Sequence, residues 1–285
     1  MADQIPETQL EDPVSFESPP VGEVILGIQF AGPVVDDAAI LGDFWPQIRG
    51  DHPILDKAPQ MDRINETFGL APPGQRFELS LGDVDPQRYL FASQDGHWLV
   101  QVQSDRFAMN WRRRNVGITY PRYRTLRRRF EELYRIFTTT LDNERLKANP
   151  PEWCATTYVN YIPAQAGGSA SRLSLDKVLR FVHAPQSSVL PAVEDTIIQQ
   201  RYVLASPNVD EEPRGRLFIR AQPVVRANDQ MPGYSLELRV LARPDGSSRA
   251  AVMRRMDESR DLIVRSFKDI TTSAMHHQWG LQEDE

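Results

Sequence analysis

Guanidinium groups dominate the chemistry this sequence can offer. Arg106, Arg112, Arg113, Arg114, Arg122, Arg124 and Arg128 crowd one short stretch, interleaved with Asn110, Trp111, Tyr120 and Tyr123. Each arginine presents a planar fork of donors that matches a carboxylate or a phosphate, and the aromatic rings between them offer faces for stacking. From Ser104 to Arg135 there are ten arginines against Asp105, Glu131 and Glu132, a local charge of +7 in a chain of net charge −6, which leaves −13 on the remainder. Such segregation makes the stretch a docking surface for an anionic partner, unless the arginines pair internally with the acidic remainder.

Other reactive patterns are absent. There is no Gly-x-Ser-x-Gly elbow, no phosphate-binding Gly-Lys-Ser/Thr loop and no Gly-x-Gly-x-x-Gly fingerprint, so hydrolase, nucleotidase and dinucleotide-enzyme readings lose their support. His52, His97 and His183 have no ligand spacing around them, and His276 and His277 are adjacent, so the histidines read as surface or cap residues. Asp83 and Asp85 sit between Gly82 and Pro86 in what reads as a solvated turn. Glu23, beside an apolar run, reads as an exposed strand-edge carboxylate, with a buried acid of raised pKa as the alternative. Trp98 and Trp111 read as core. No cofactor, metal or catalytic set is expected, and the balance lies against an enzyme.

The elements that must position the arginines follow from periodicity. Val24, Leu26, Ile28 and Phe30 alternate as a first strand, and Ala38 to Ile48 has helical spacing with Pro46 as a kink. A linking region runs to Gln75. Strands follow at Arg76–Leu81 and Arg88–Ser93, then the Asp95-Gly96 turn, then a hairpin that reverses at Ser104-Asp105, with a bulge there as the alternative. Tyr123, Leu126, Phe130, Leu133, Phe137 and Leu141 form one stripe of a long helix entered through Pro121, with Thr119 as a nearby cap and Arg124, Arg128 and Arg135 on the far side. After Pro150-Pro151 the order restarts: a strand over Glu152–Pro163, a helix from about Ser174 to Val182, strands at Thr196–Ala205, Gly215–Val225 and Gly233–Arg243, and a helix from Ala250 to about Met275.

The expected fold is therefore α+β: two similar halves, each strand, helix, three or four antiparallel strands and a long helix, forming a curved sheet with helices on one face. The boundaries are a flexible acidic arm over 1–20, a first half over 21–149, a second over 150–280 and a tail over 281–285. The acidic start and the lack of an apolar run of spanning length imply no membrane partner, and the lone Cys154 fits a cytoplasmic protein. In element order the chain looks like the TATA-box-binding protein fold, whose repeats form a saddle-shaped sheet.

The motifs PPVGEVILGIQF, QVQSDRFAMNWRRR followed by YPRY, TTYVNYI and the terminal HQWG are similar to those of a sporadically distributed family of uncharacterised prokaryotic proteins. The resemblance implies a bacterial or archaeal protein linked to defence, toxin–antitoxin or mobile-element neighbourhoods, and it assigns no catalytic residue. Three functions compete. The first is a non-catalytic partner subunit or regulator that binds another protein through the arginine and aromatic region. The second is nucleic-acid binding by the same groups. The third is an enzyme acting on an anionic small molecule between the halves, with Arg106 or Arg112 as anchor. Oligomeric state is not legible.

Overall fold

A computed structural model describes residues 14–69, 87–115, 117–164, 174–183, 188–191, 193–206, 208, 211–226 and 229–282. The expected strand at Arg76–Leu81, the Asp83–Asp85 turn and most of the acidic arm lie outside the described residues. In order the elements are β1 (Ser15–Phe16), β2 (Val21–Phe30), α1 (Asp37–Ala39), a π-helical turn (Ile40–Phe44), α2 (Trp45–Ile48), β3 (Ile54–Pro59), β4 (Gln87–Ala92), β5 (Trp98–Gln103) and β6 (Arg106–Arg112). Then come α3 (Arg122–Thr139), α4 (Asn143–Ala148), β7 (Pro151–Pro163), β8 (Ile198–Leu204), β9 (Gly215–Val225), β10 (Pro232–Ala242), α5 (Arg249–Ile270), α6 (Ser273–Trp279) and β11 (Leu281–Gln282).

The protein is α+β. Nine strands form one curved, unclosed antiparallel sheet in the order β3-β4-β5-β6-β2-β7-β10-β9-β8, with helices packed on one side. Read outward from the central β2–β7 pair, each flank meets the last strand before its long helix, then the preceding two. Pleating sends alternate side chains to opposite faces. Val24, Leu26 and Ile28 therefore share a face with their cross-strand partners Trp111, Met109 and Phe107. That face receives the α3 stripe: Phe107 stacks on Phe137 at 4.8 Å and meets Phe130 at 5.7 Å. On the other flank α5 lies against β10 and β7, burying Val252, Met256 and Ile263. One cluster joins both flanks into a single core.

α3 and α5 are also joined by charge. Asp257 accepts from Tyr123 Oη at 2.7 Å and from Arg127 Nε at 2.8 Å, while Arg127 Nη1 reaches Glu131 at 2.9 Å. α3 starts without a side-chain cap, so Thr119 does not serve as one. Its first residue, Arg122, has φ of +65°, a conformation that costs a non-glycine residue about 1 kcal/mol. The guanidinium of Arg122 donates from there to Phe16 O at 2.8 Å and to Glu17 O at 3.3 Å, which ties the helix start to β1.

Four expectations need correction. The helix over Ser174–Val182 is a single 3-10 turn, Leu175–Lys177. Its apolar residues bury against the α5–α6 junction, where Thr272 N donates to Val178 O and Arg180 N to Ile270 O, so the backbone pairs with a neighbour instead of with itself. The final helix is two, broken at Thr271, whose backbone is extended. Ser15 and Phe16, inside the segment read as an arm, are packed: β1 pairs with β11, and Phe16 meets Phe267 at 5.6 Å. β3 occupies an edge of the sheet within the segment read as a linker, and its charged, largely exposed sequence hides the strand pattern.

Because Phe107 sits where β6 meets α3, truncation to alanine should cost about 3–5 kcal/mol. Urea denaturation of Phe107→Ala against the wild type measures this, with both near-UV and far-UV signals moving together.

Candidate functional site on the open face of the sheet

The arginine and aromatic residues singled out in the sequence do not form one surface. Trp111, Tyr120 and Tyr123 lie in the core: Trp111 packs on Tyr120 at 5.6 Å, the hydroxyls of Tyr120 and Tyr158 lie 3.1 Å apart, and burial pushes the Tyr123 phenol well above its ordinary pKa. Arg124 and Arg128 are exposed on the outer face of α3, beyond the helix layer. Arg122 is held by β1. Arg113 and Arg114 lie past the end of β6, with Arg114 Nε donating to Gly96 O at 3.3 Å. Burial, reinforced by Arg226, lowers the Arg113 pKa.

Only Arg106, Asn110 and Arg112 project from β6 onto the face that carries no helix. There Glu23 accepts from Asn110 Nδ2 at 2.6 Å and from Arg112 Nε at 2.7 Å, and Asn110 Oδ1 accepts from Gln101 Nε2 at 2.6 Å. Glu23 is thus the counterion of Arg112.

Residues 60–68 run across this same face as an extended strap, and its backbone is held by side chains of the sheet. Gln103 on β5 grips both backbone groups of Met61: its Oε1 accepts from Met61 N at 3.1 Å and its Nε2 donates to Met61 O at 3.0 Å. Gln29 on β2 does the same with Ile64, accepting from N at 2.7 Å and donating to O at 3.0 Å. Between them Arg106 Nη2 donates to Asp62 O at 2.9 Å and to Gln29 Oε1 at 2.7 Å. Arg63 of the strap bridges Asp105 and Glu152 at 3.0 and 2.5 Å. On β9 the guanidinium of Arg216 pairs with Glu66, donates to Thr67 O at 2.8 Å and lies over the Phe68 ring at 4.6 Å.

The dimensions agree with an extended chain laid across strands. Five inter-strand gaps separate β5 from β9, about 24 Å, and the seven steps from Met61 to Phe68 span about 23 Å at strand-like rise. A carboxamide aligned with one residue's N–H and C=O reproduces the donor–acceptor pair of a β-ladder and is indifferent to the side chain it grips. Beneath the strap Gln29 and Gln103 are each only 1 % exposed, and their amides are satisfied by its backbone together with Arg106, Glu152 and Asp105. No pattern in the sequence announces their partners, which lie 35 and 42 residues away.

Two further arginines on the open face lie outside the stretch singled out in the sequence. Arg88 on β4 and Arg239 on β10 flank a floor of small residues, where Gly27 pairs with Ala108 on one side and Ala155 on the other. Burial lowers the pKa of Arg88, helped by Arg112, and that of Arg106, against the opposing pull of Asp105 and helped by Arg239, Arg88 and Arg63. Arg239 is also lowered by burial, against the opposing pull of Glu237 and Glu66.

Elsewhere the chemistry is limited. Among the described residues no group of three or more His, Cys, Asp or Glu side chains could hold a metal ion. Burial pushes the Cys154 thiol up to about 12, so it is no ready nucleophile. A small cavity of about 50 Å³ lies between β1 and α5, lined by Phe16, Tyr158, Arg260 and Phe267. One of about 230 Å³ lies between α2 and α3, lined by Asp51, His52, Arg129 and Glu132. Contrary to the sequence reading, His52 is fully buried, and His97 and His276 are each 7 % exposed. Compared with known proteins, the chain matches no family model and no curated protein.

Burial, with Arg129 adding to it, lowers the His52 pKa from 6.5 to about 4. A histidine depressed in the folded state stabilises the fold fully above the unfolded pKa, and that contribution is lost as pH falls from about 6.5 towards 4. In urea titrations at pH 7 and pH 4.5, the wild type should lose about 2 kcal/mol more than His52→Leu, a figure discounted for solvent screening.

Proposed function

We propose that this is a non-catalytic binding protein, a partner subunit or regulator in a bacterial system of defence or toxin–antitoxin type, which holds an extended stretch of another protein on the open face of its sheet. The observation that carries this reading is the paired grip of Gln103 on Met61 and of Gln29 on Ile64. Side chains that grip the N–H and C=O of one residue make a surface for extended polypeptide, and the strap is a worked example of such a chain bound there. The matching strand order on the two flanks supports an internal duplication as the origin of so wide a face. Among the described residues no helix is long and apolar enough to cross a membrane, and a cytoplasmic site of action fits the buried free thiol.

The test is recovery of the full-length chain from its native host. A stoichiometric protein partner should be retained, its contact mapped by hydrogen exchange to β2, β5 and β6. Gln29→Leu with Gln103→Leu, which frees the strap that borders the bound segment, should cut retention about tenfold, while a melting curve confirms that the variant folds. Retention unchanged by that pair, or no partner at all, would overturn the reading.

A second reading, nucleic-acid binding, is favoured by one observation: Arg124, Arg128 and Arg135 are exposed along the outer face of α3, with no carboxylate in ion-pair range among the described residues. A low-salt gel shift with duplex DNA and with RNA tests it. Binding lost in Arg124→Met with Arg128→Met supports it, and no shift removes it.

A further inference from the structure

The middle of the open face is positively charged beyond what the strap neutralises. The strap delivers one carboxylate, Glu66, to Arg216 on β9. Arg88, Arg106 and Arg239 form no ion pair within 4 Å among the described residues, and the Nε of each is buried without a hydrogen-bond partner. Arg106 spends its Nη2 donor on the strap carbonyl and on Gln29, and Arg239 lies over the Phe218 ring at 5.1 Å. One row of the floor between them, Ala108, Gly27 and Ala155, carries little side chain, and the next carries Asn110, Ile25 and Thr157. Long side chains from β4, β6 and β10 stand beside that row of small residues.

Guanidinium groups that are part-buried and mutually repelling, with Asp105, Glu237 and Glu66 attracting them only from beyond ion-pair range among the described residues, gain when a further anion completes the set. The strap shows what form that anion takes on this face, since Arg216 holds a glutamate carboxylate and a backbone carbonyl of one extended segment together. We propose that the row of small residues at Gly27, with Arg88, Arg106 and Arg239 beside it, is a carboxylate subsite, and that the segment this protein binds is an extended acidic peptide lying beside the strap. The proposal rests on the reading of the open face as a polypeptide-binding surface and adds the chemistry of what is bound. Basic and neutral segments would leave the three arginines without a carboxylate in ion-pair range and would bind more weakly.

The experiment uses the full-length chain and three fluorescein-labelled probes in anisotropy titrations at low and at raised salt: an alternating Ser-Glu peptide of about twelve residues, its Ser-Gln counterpart, and a single-stranded DNA oligomer of similar length. The glutamate peptide should bind at least about tenfold more tightly than the glutamine peptide, and more weakly as salt rises. Arg88→Met with Arg239→Met should weaken the glutamate peptide by about tenfold without lowering Tm, because removing buried charges that lack partners does not destabilise. Arg124→Met with Arg128→Met, on the opposite side of the molecule, should change it by less than about twofold.

Failure to bind the glutamate peptide, or binding that survives Arg88→Met with Arg239→Met, overturns the subsite. Equal loss in the α3 pair also overturns it, since the attraction is then the general field of the protein. If the glutamine peptide binds as well as the glutamate one, the acidic preference is wrong while the polypeptide reading stands. Tighter, Arg88-dependent and Arg239-dependent binding of the DNA oligomer assigns the arginines to a phosphate backbone and overturns both.

Discussion

The antiparallel pairing of β2 with β7 is the constraint on which the rest of the molecule depends. It runs from Val21 opposite Asn160 to Phe30 opposite Pro151 and is the seam that makes two flanks one sheet. Both strands are covered by helices on one face only, so the pleat divides their side chains cleanly. Leu26, Ile28, Cys154 and Tyr158 go to the core, while Glu23, Gln29 and Trp153 go to the open face. A slip of one residue in this pairing would exchange the two sets along the centre of the sheet. The site on the open face is thus a direct consequence of the same register that builds the core.

Charge is distributed by a different logic. Near the helices the arginines that matter structurally find carboxylates: Arg127 with Asp257 and Glu131, and Arg255 with Asp245 and Glu258. Breaking such a part-buried pair from one side leaves an uncompensated charge, which is why these contacts are better viewed as specifying how α3 and α5 meet than as large net stabilisers. The open face has such pairs too, Arg112 with Glu23 and Arg63 with Asp105 and Glu152, and adds side chains turned towards backbone, Gln29, Gln103 and Arg106, which the strap engages. Arg88, Arg106 and Arg239 lie there without a carboxylate in ion-pair range among the described residues, near the small residues Gly27, Ala108 and Ala155.

Much of the fold was legible because periodicity survives folding when packing and propensity agree. The β5–β6 hairpin reverses at Ser104-Asp105, with Gln103 opposite Arg106, as the phase change in the apolar pattern implies. The α3 stripe is buried from Tyr123 to Leu141. The misreadings share one cause. Leu175, Val178 and Leu179 have helical spacing and are fully buried, yet they pack around a turn because the backbone of α5 and α6 ends beside them and offers its unpaired groups. Spacing reports which residues are buried, and the partner decides the backbone shape.

For the site, the sequence by itself determined that arginine would be the chemically dominant group. It determined the alternation that puts Arg106, Asn110 and Arg112 on one side of β6 and Trp111 on the other. Only the tertiary structure decided that Arg124 and Arg128 lie on the outside of the helix layer, remote from Arg106, and that Arg88 and Arg239 join Arg106 instead. It alone brought residues 60–68 over Gln103, Gln29 and Arg216. The physical reason is range: periodicity encodes which way a side chain points within its own element, whereas the neighbours it meets across several strands are set by the order in which those strands assemble.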